Sequence, residues 1–144
     1  MNILECYNNW AKIDVNVLVL DTIEANQELI IDTITEKQLF QHGEDGNGEK
    51  LPLPYAEKTQ MIKRAKGQPI DRITLKDTGD FYASMVMVRQ ADSVRTYFTD
   101  YKSDRLYKDW GAEIGSISKR NLGEIVDSDI KEDFIRSLRE KLNL

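Results

Sequence analysis

The sequence predicts an α+β fold: N-terminal helices, a small antiparallel sheet built on a hairpin at about 81–99, and a C-terminal amphipathic helix. Three observations carry this. Apolar residues recur at helical spacing through the first 40 residues. A turn signal, Asp77-Thr78-Gly79-Asp80, leads into two runs rich in aromatic, β-branched and methionine residues, 81–89 and 93–99. Ile130, Phe134, Leu138 and Leu142 make one apolar stripe, with Lys131, Glu132, Arg136, Arg139 and Glu140 on the other side.

In chain order, Ile3, Leu4, Tyr7, Trp10 and Ala11 predict a first helix, with Cys6 as a buried thiol on its apolar face. Asp14 is placed to cap a second, longer element. Val15, Leu18, Val19, Thr22, Asn26, Leu29, Ile30, Thr33 and Phe40 share one broad face of it. Ile13, Val17, Leu20, Ile23, Ile31 and Ile34 spread onto another. A helix apolar on two sides is expected to be buried on two sides, by its own domain or by a neighbouring subunit. The run 15–20 also alternates as a strand does, but the period continuing to Phe40 favours helix.

Residues 41–79 predict a long irregular loop within a single domain spanning 1–144. Glycines at 43, 46 and 48 and prolines at 52 and 54 stop regular structure, and a short helix fits 55–66 before Gly67 and Pro69. Connections of this length are usually functional or disordered rather than neutral filler. Beyond the hairpin, 103–110 predicts a short helix stopped at Gly111. Ser118 is placed to cap the C-terminal helix, with Asp127 and Asp129 as helix-start residues at a second break.

The chain has 144 residues, enough for a core, with 40% hydrophobic and 31% charged residues. A net charge of −5 argues against a dedicated nucleic-acid binder. The single cysteine permits no internal disulfide. Glu5 and the lack of a basic leader argue against a secretory signal, and no apolar run approaches the roughly 20 residues of a membrane span.

Candidate chemistry is sparse. Asp77-Thr78-Gly79 shares letters with acid proteases, but Lys76 and Asp80 bracket it where apolar flanks belong, so a turn is expected. His42 has no second His or Cys nearby for zinc. The loop from Asp45 starts like a calcium site, yet has Lys50 where glycine belongs and Ala56 where glutamate belongs. Cys6 and Ser84 lack a partner base. Neither an enzymatic role nor a cofactor or metal is expected.

Within this acidic chain, Lys50, Lys58, Lys63, Arg64, Lys66, Arg72 and Lys76 make 50–76 locally basic. One use of such a loop is contact with a phosphate backbone, which the overall charge makes the lesser expectation. The other is contact with protein. Asp80, Asp92, Asp100, Asp104, Asp109 and Glu113 supply acid to match it, and such complementarity sets register.

Five segments follow one another in a familiar order. They are Gly43-x-Asp45-x-x-Gly48, Tyr55-Ala56-x-Lys58-Thr59, Lys66-Gly67-Gln68-Pro69, Asp71-Arg72-Ile73-Thr74-Leu75 and Asp77-Thr78-Gly79-Asp80-Phe81-Tyr82-Ala83-Ser84. Over roughly 38–144 they resemble a family of small proteins encoded by phages and prophages of Bacteroides-type bacteria. More distantly, Thr78-Gly79-x-Phe81-x-x-Ser84 resembles the Thr-Gly-x-Leu-x-x-Ser pattern of tail-completion, or head–tail joining, proteins of long-tailed phages, with Phe81 in place of the usual leucine. The resemblance implies a virion structural protein of the phage neck or tail, made in the host cytoplasm. It implies helices packed on a small antiparallel sheet, assembly into a homo-oligomeric ring, and portal, adaptor or tail-tube proteins as partners. The contact residues expected are Lys58, Lys63, Arg64, Lys66, Asp77, Thr78, Gly79 and Asp80. Reversing Lys63, Arg64 and Lys66 to glutamate is expected to block assembly and leave the monomer folded. The alternative is a small nucleic-acid-associated or regulatory phage protein that uses 50–76.

Overall fold

Asn2 and Glu5 cap each other's backbone amides to start α1 (Ile3–Ala11), and Asp14 accepts from the Val17 N–H at 3.2 Å to start α2 (Val15–Ala25). This and all that follows is read from a computed structural model, which describes residues 2–144. Asn26 leaves helical geometry for one residue, with α3 (Gln27–Asp32) following at once and widening into a π-helical stretch, Thr33–Gln41. Thr22, Thr33 and Thr35 donate their hydroxyls to the carbonyls four residues back, so threonines inside the protein carry no unpaired hydroxyl. The strand alternative for 15–20 is excluded; the whole run is helical.

The fold is α+β, as expected. Helix α4 is Glu57–Ala65, and α5 is a single turn, Asp80–Ala83. Strands β1 (Met85–Arg89) and β2 (Val94–Phe98) pair antiparallel with Met85 opposite Phe98 and Arg89 opposite Val94. Then come α6 (Ser103–Trp110), a 3₁₀ turn (Ala112–Gly115), α7 (Lys119–Ile125), a second π-helical stretch (Val126–Ile130) and α8 (Lys131–Leu142). Ser118 caps α7 by accepting from the Asn121 N–H at 3.2 Å, as expected.

The hairpin is shorter than 81–99. Residues 80–83 are helical because Phe81 and Tyr82 are both buried, and neighbouring residues of a strand point to opposite faces. Gly79, at a φ of 96° that side-chain-bearing residues avoid, delivers the chain into this turn. Phe81 then stacks on Phe98, with ring centroids 3.9 Å apart. Ser84, expected inside a strand, ends α5 by donating its hydroxyl to the Phe81 carbonyl at 2.7 Å. Asp127 and Asp129 start no helix; they lie in the widened turn that joins α7 to α8 without a break.

One core joins Ile30, Ile34 and Leu39 of the long helical run to Met85, Phe98, Ile114, Ile125 and Ile130. The loop 41–79 contributes Leu51, Tyr55 and Ile73 to it, so that segment is packed rather than draped. The edge of β2 is closed by two side-chain bonds. Phe98 N–H donates to the Tyr107 hydroxyl at 2.9 Å, and the Thr96 hydroxyl donates to the Gly115 carbonyl at 2.6 Å. A Cβ at position 115 would collide with that tyrosine hydroxyl, which is why glycine stands there. Fully buried Gln38 ties the long helix to the start of α7. It accepts from the Ser118 N–H at 2.9 Å and donates to the Ser116 carbonyl at 2.8 Å.

Candidate assembly surfaces

Of the seven cations in 50–76, Lys63 is buried, Arg72 and Lys76 are half-buried, and Lys50, Lys58, Arg64 and Lys66 are exposed. Lys63, expected at a contact surface, is only 6% exposed. Its ammonium donates to the Lys76 carbonyl at 2.8 Å and lies 4.9 Å from the centre of the Tyr55 ring. Tyr55 in turn accepts the Thr74 N–H at 2.7 Å, and the Tyr82 hydroxyl donates to the Thr74 carbonyl. Lys76 sits over the Phe40 ring at 4.9 Å with Glu36 at 3.8 Å. Arg72 donates its Nε–H to the Phe40 carbonyl at 2.6 Å. These cations act as a clasp that fastens α4 and 68–79 to the C-terminal end of the long helical run.

Lys66 and Asp77, two further expected contacts, pair with each other. That bond to Lys66 holds the Asp77 carboxyl below its ordinary range, against the opposing cost of partial burial. Thr78 accepts the Asp80 N–H at 3.3 Å, so Thr78, Gly79 and Asp80 form the entry to α5. Lys58 and Arg64 remain, both exposed on α4 and in no ion pair among the described residues. Asp80 is likewise exposed and in no ion pair among the described residues, so of the eight expected contact residues Lys58, Arg64 and Asp80 carry charges without an ionic partner.

The surfaces that do face outward with apolar side chains lie elsewhere. Helix α1 has no buried residue: Ile3 is 90% exposed, Tyr7 65% and Trp10 48%. Its inward side is Cys6 and Asn9, both half-buried, with Ile13 half-buried just beyond its end, so Cys6 is not the buried thiol that its neighbours suggested. The start of α2 continues this outward surface with Val15, Val17 and Val19. Within the chain, Ile30 and Ile34 are buried, whereas over 15–19 Leu18 is buried and Val15, Val17 and Val19 are exposed, leaving that second face open to the neighbouring subunit the expectation allowed.

Helix α4 is inverted in the same way. Its inward residues are Thr59, Gln60 and Lys63, whereas Met61 is 69% exposed and Ile62 45%. The sequence held a signal for this, since Lys58, Met61, Ile62 and Ala65 share one side at spacings of three and four. That signal was hidden inside a segment whose charge suggested only a basic loop.

Other candidates resolve into local structure. Asp45 Oδ1 accepts the Asn47 and Glu49 N–H groups at 2.9 and 3.1 Å, an Asx turn in place of a calcium loop. Among the described residues, no group of three or more His, Cys, Asp or Glu side chains is placed to hold a metal ion. No helix of the described residues is long and apolar enough to cross a membrane. In comparisons with family models, curated proteins and solved structures, the chain matches none.

Proposed function

We propose that this chain is a structural subunit of a phage particle, of the head–tail connector or tail-completion type, which works by forming a ring with copies of itself. The observation that carries the assembly part of this reading is the outward apolar surface of α1, where an aliphatic pair and two aromatic rings stand in solvent. Contiguous exposed apolar surface with aromatic anchors is characteristic of sites that other proteins cover. The phage part rests on the ordered motifs between Gly43 and Ser84.

Contact with a phosphate backbone is the weaker reading. Lys63, Lys66, Arg72 and Lys76 already have partners within the chain, which leaves Lys50, Lys58 and Arg64 of the seven cations in 50–76. A phosphate-binding surface needs its charges free and grouped.

The test is genetic and visual. Deleting the coding sequence from a phage or prophage that carries it is expected to leave separate heads and tails in electron micrographs, with joining restored by supplying the chain in trans. Particles of normal form and number after deletion sink the proposal.

A further inference from the structure

We infer that α4 is a strap: residues 56–68 lift off the body of the protein and settle back as one unit, while the core on both sides of them stays folded. Such a motion takes place within one chain, whether or not that chain assembles into a ring.

The ends of this segment are fixed and its middle is not. Tyr55 before it and Ile73 after it are core residues, and the Tyr55 hydroxyl accepts the Thr74 N–H at 2.7 Å, which ties the two ends together. Between them, among the described residues, no hydrophobic side chain belongs to the core or packs against it. Ala56, Met61, Ile62 and Ala65 are all exposed, and the inward residues of α4 are Thr59, Gln60 and Lys63. A helix that buries no apolar side chain stands at the low end of local stability.

What holds the helix down is polar. Lys63 donates to the Lys76 carbonyl at 2.8 Å, Gln60 Nε2 to the Tyr55 carbonyl at 2.9 Å and Gln68 Nε2 to the Asp77 carbonyl at 2.7 Å, and Lys66 pairs with Asp77. Each of these partners lies in the loop residues that flank the strap, and none in another helix or strand. Water replaces such partners at small net cost when the donor swings out, and the Lys66–Asp77 pair stands in solvent, where ion pairs are weak. The exception is Lys63, whose apolar stem is buried beside the Tyr55 ring while its ammonium is bonded. Lys63 is therefore the latch.

Release also unwinds the helix. Its 9 residues, Glu57–Ala65, do not hold a helix alone in water, so a lifted strap loses its backbone hydrogen bonds and regains chain entropy that offsets the lost contacts. The far end permits this. Gly67, at a φ of 68°, has no atom other than those of its chain neighbours within 4 Å of where a Cβ would lie, so the body does not obstruct the turn. Opening uncovers the Lys63 side of the Tyr55 ring and the carbonyls of Lys76 and Asp77.

Hydrogen exchange of the full-length protein, followed amide by amide by NMR, tests this. Wild-type amides at 60–66 are expected to exchange roughly a hundred-fold or more faster than those of α8 and of 30–39, yet far slower than in an unfolded peptide. Urea is expected to change the α4 rates little, because opening exposes little surface. Lys63→Met keeps a long stem and removes the ammonium. It is expected to speed exchange in α4 roughly ten-fold or more, and to leave α8 within about two-fold of wild type. Should circular dichroism show that this variant does not fold, Lys66→Ala and Arg64→Ala are compared instead. The first is expected to speed α4 roughly two-fold, through loss of the Asp77 pair, and the second to leave it unchanged; equal rates for the two overturn the inference. Wild-type α4 amides that exchange as slowly as those of α8, with the same urea dependence, overturn it too, because the helix then opens only when everything does. So do α4 amides as fast as an unfolded peptide, which leave no closed state to latch, and a Lys63→Met variant that speeds both helices equally or neither.

Discussion

Helices α1 and α8 lie against each other, and both carry apolar residues along one side and polar ones along the other. They use that pattern in opposite senses. In α8 and the turn before it, Ile130 and Leu142 are buried and Phe134 and Leu138 half-buried, with Lys131, Glu132, Arg136, Arg139 and Glu140 in solvent. In α1 the aromatic and aliphatic side is the one in solvent, and Cys6 and Asn9 face the protein. Helical periodicity shows that a face exists; which way it turns is decided by what the rest of the chain places beside it. An amphipathic helix that turns its apolar side out is stable only while α8 and the cap at Asn2 hold it, and that side remains available to a neighbour.

The largest effect that sharpens this contrast lies in α4, where inward and outward residues are neighbours in sequence. Lys63→Glu puts a carboxylate beside the Lys76 carbonyl and under the Tyr55 ring, and is expected to cost about 3 kcal/mol or more. Arg64→Glu, one residue on and exposed, is expected to change stability by no more than about 0.5 kcal/mol. Urea unfolding of the two variants makes the comparison. Equal effects would mean that Lys63 is not held as described. The triple reversal of Lys63, Arg64 and Lys66 therefore does not isolate assembly, because its first member is expected to unfold the clasp.

Next in size is a pair taken from the two contrasted helices. Ile130→Ala removes a side chain that is 7% exposed within the core and is expected to cost about 2–4 kcal/mol. Tyr7→Ala on α1 is expected to stay within about 0.5 kcal/mol for the monomer while weakening any association. A large loss of monomer stability from Tyr7→Ala would place α1 in the core and dissolve the comparison. Smaller again is Asn2→Ala. It removes the side chain that accepts the Glu5 N–H at 2.9 Å and is expected to cost about 1 kcal/mol, felt locally as faster amide exchange in the first turn of α1 and not in α8.

How far the sequence reached follows from the same distinction. Element type and several boundaries were legible because they depend on local chemistry: the Asp14 and Ser118 caps, the stop at Gly111, the α8 stripe and the two strand runs. Three things were not. The outward turn of α1 depends on which residues α8 presents to it. The helical turn at 80–83 depends on Phe98 and Thr74 drawing two successive aromatic rings inward, one to stack and one to donate a hydrogen bond. The burial of Lys63 depends on a carbonyl 13 residues away and on a long apolar stem that packs while its ammonium stays bonded. Of the candidate contact residues, the charges were visible but their partners were not, and an ion already paired within the chain is a poor guide to a surface.

The last test concerns aromatic residues that face inward. Tyr82 and Tyr107 both have phenols raised above the ordinary value near 10, chiefly because burial disfavours the phenolate. For Tyr82 the nearby Glu36 adds to this, and its hydroxyl is committed as a donor to the Thr74 carbonyl. Between the unfolded and folded values, the native protein then holds protons that the unfolded chain has lost. Stability from these groups is therefore complete below about pH 10 and falls as pH rises beyond it. Absorbance titration of the folded protein is expected to show late phenolate formation that shifts to lower pH when the chain is unfolded in urea. Tyr82→Phe should remove part of that late phase, at some cost from the unpaired Thr74 carbonyl. At neutral pH neither phenol titrates, so the effect there is nil, and the experiment tests only which aromatic rings the fold has taken in. A late phase untouched by Tyr82→Phe would mean that this ring is not held inside as described.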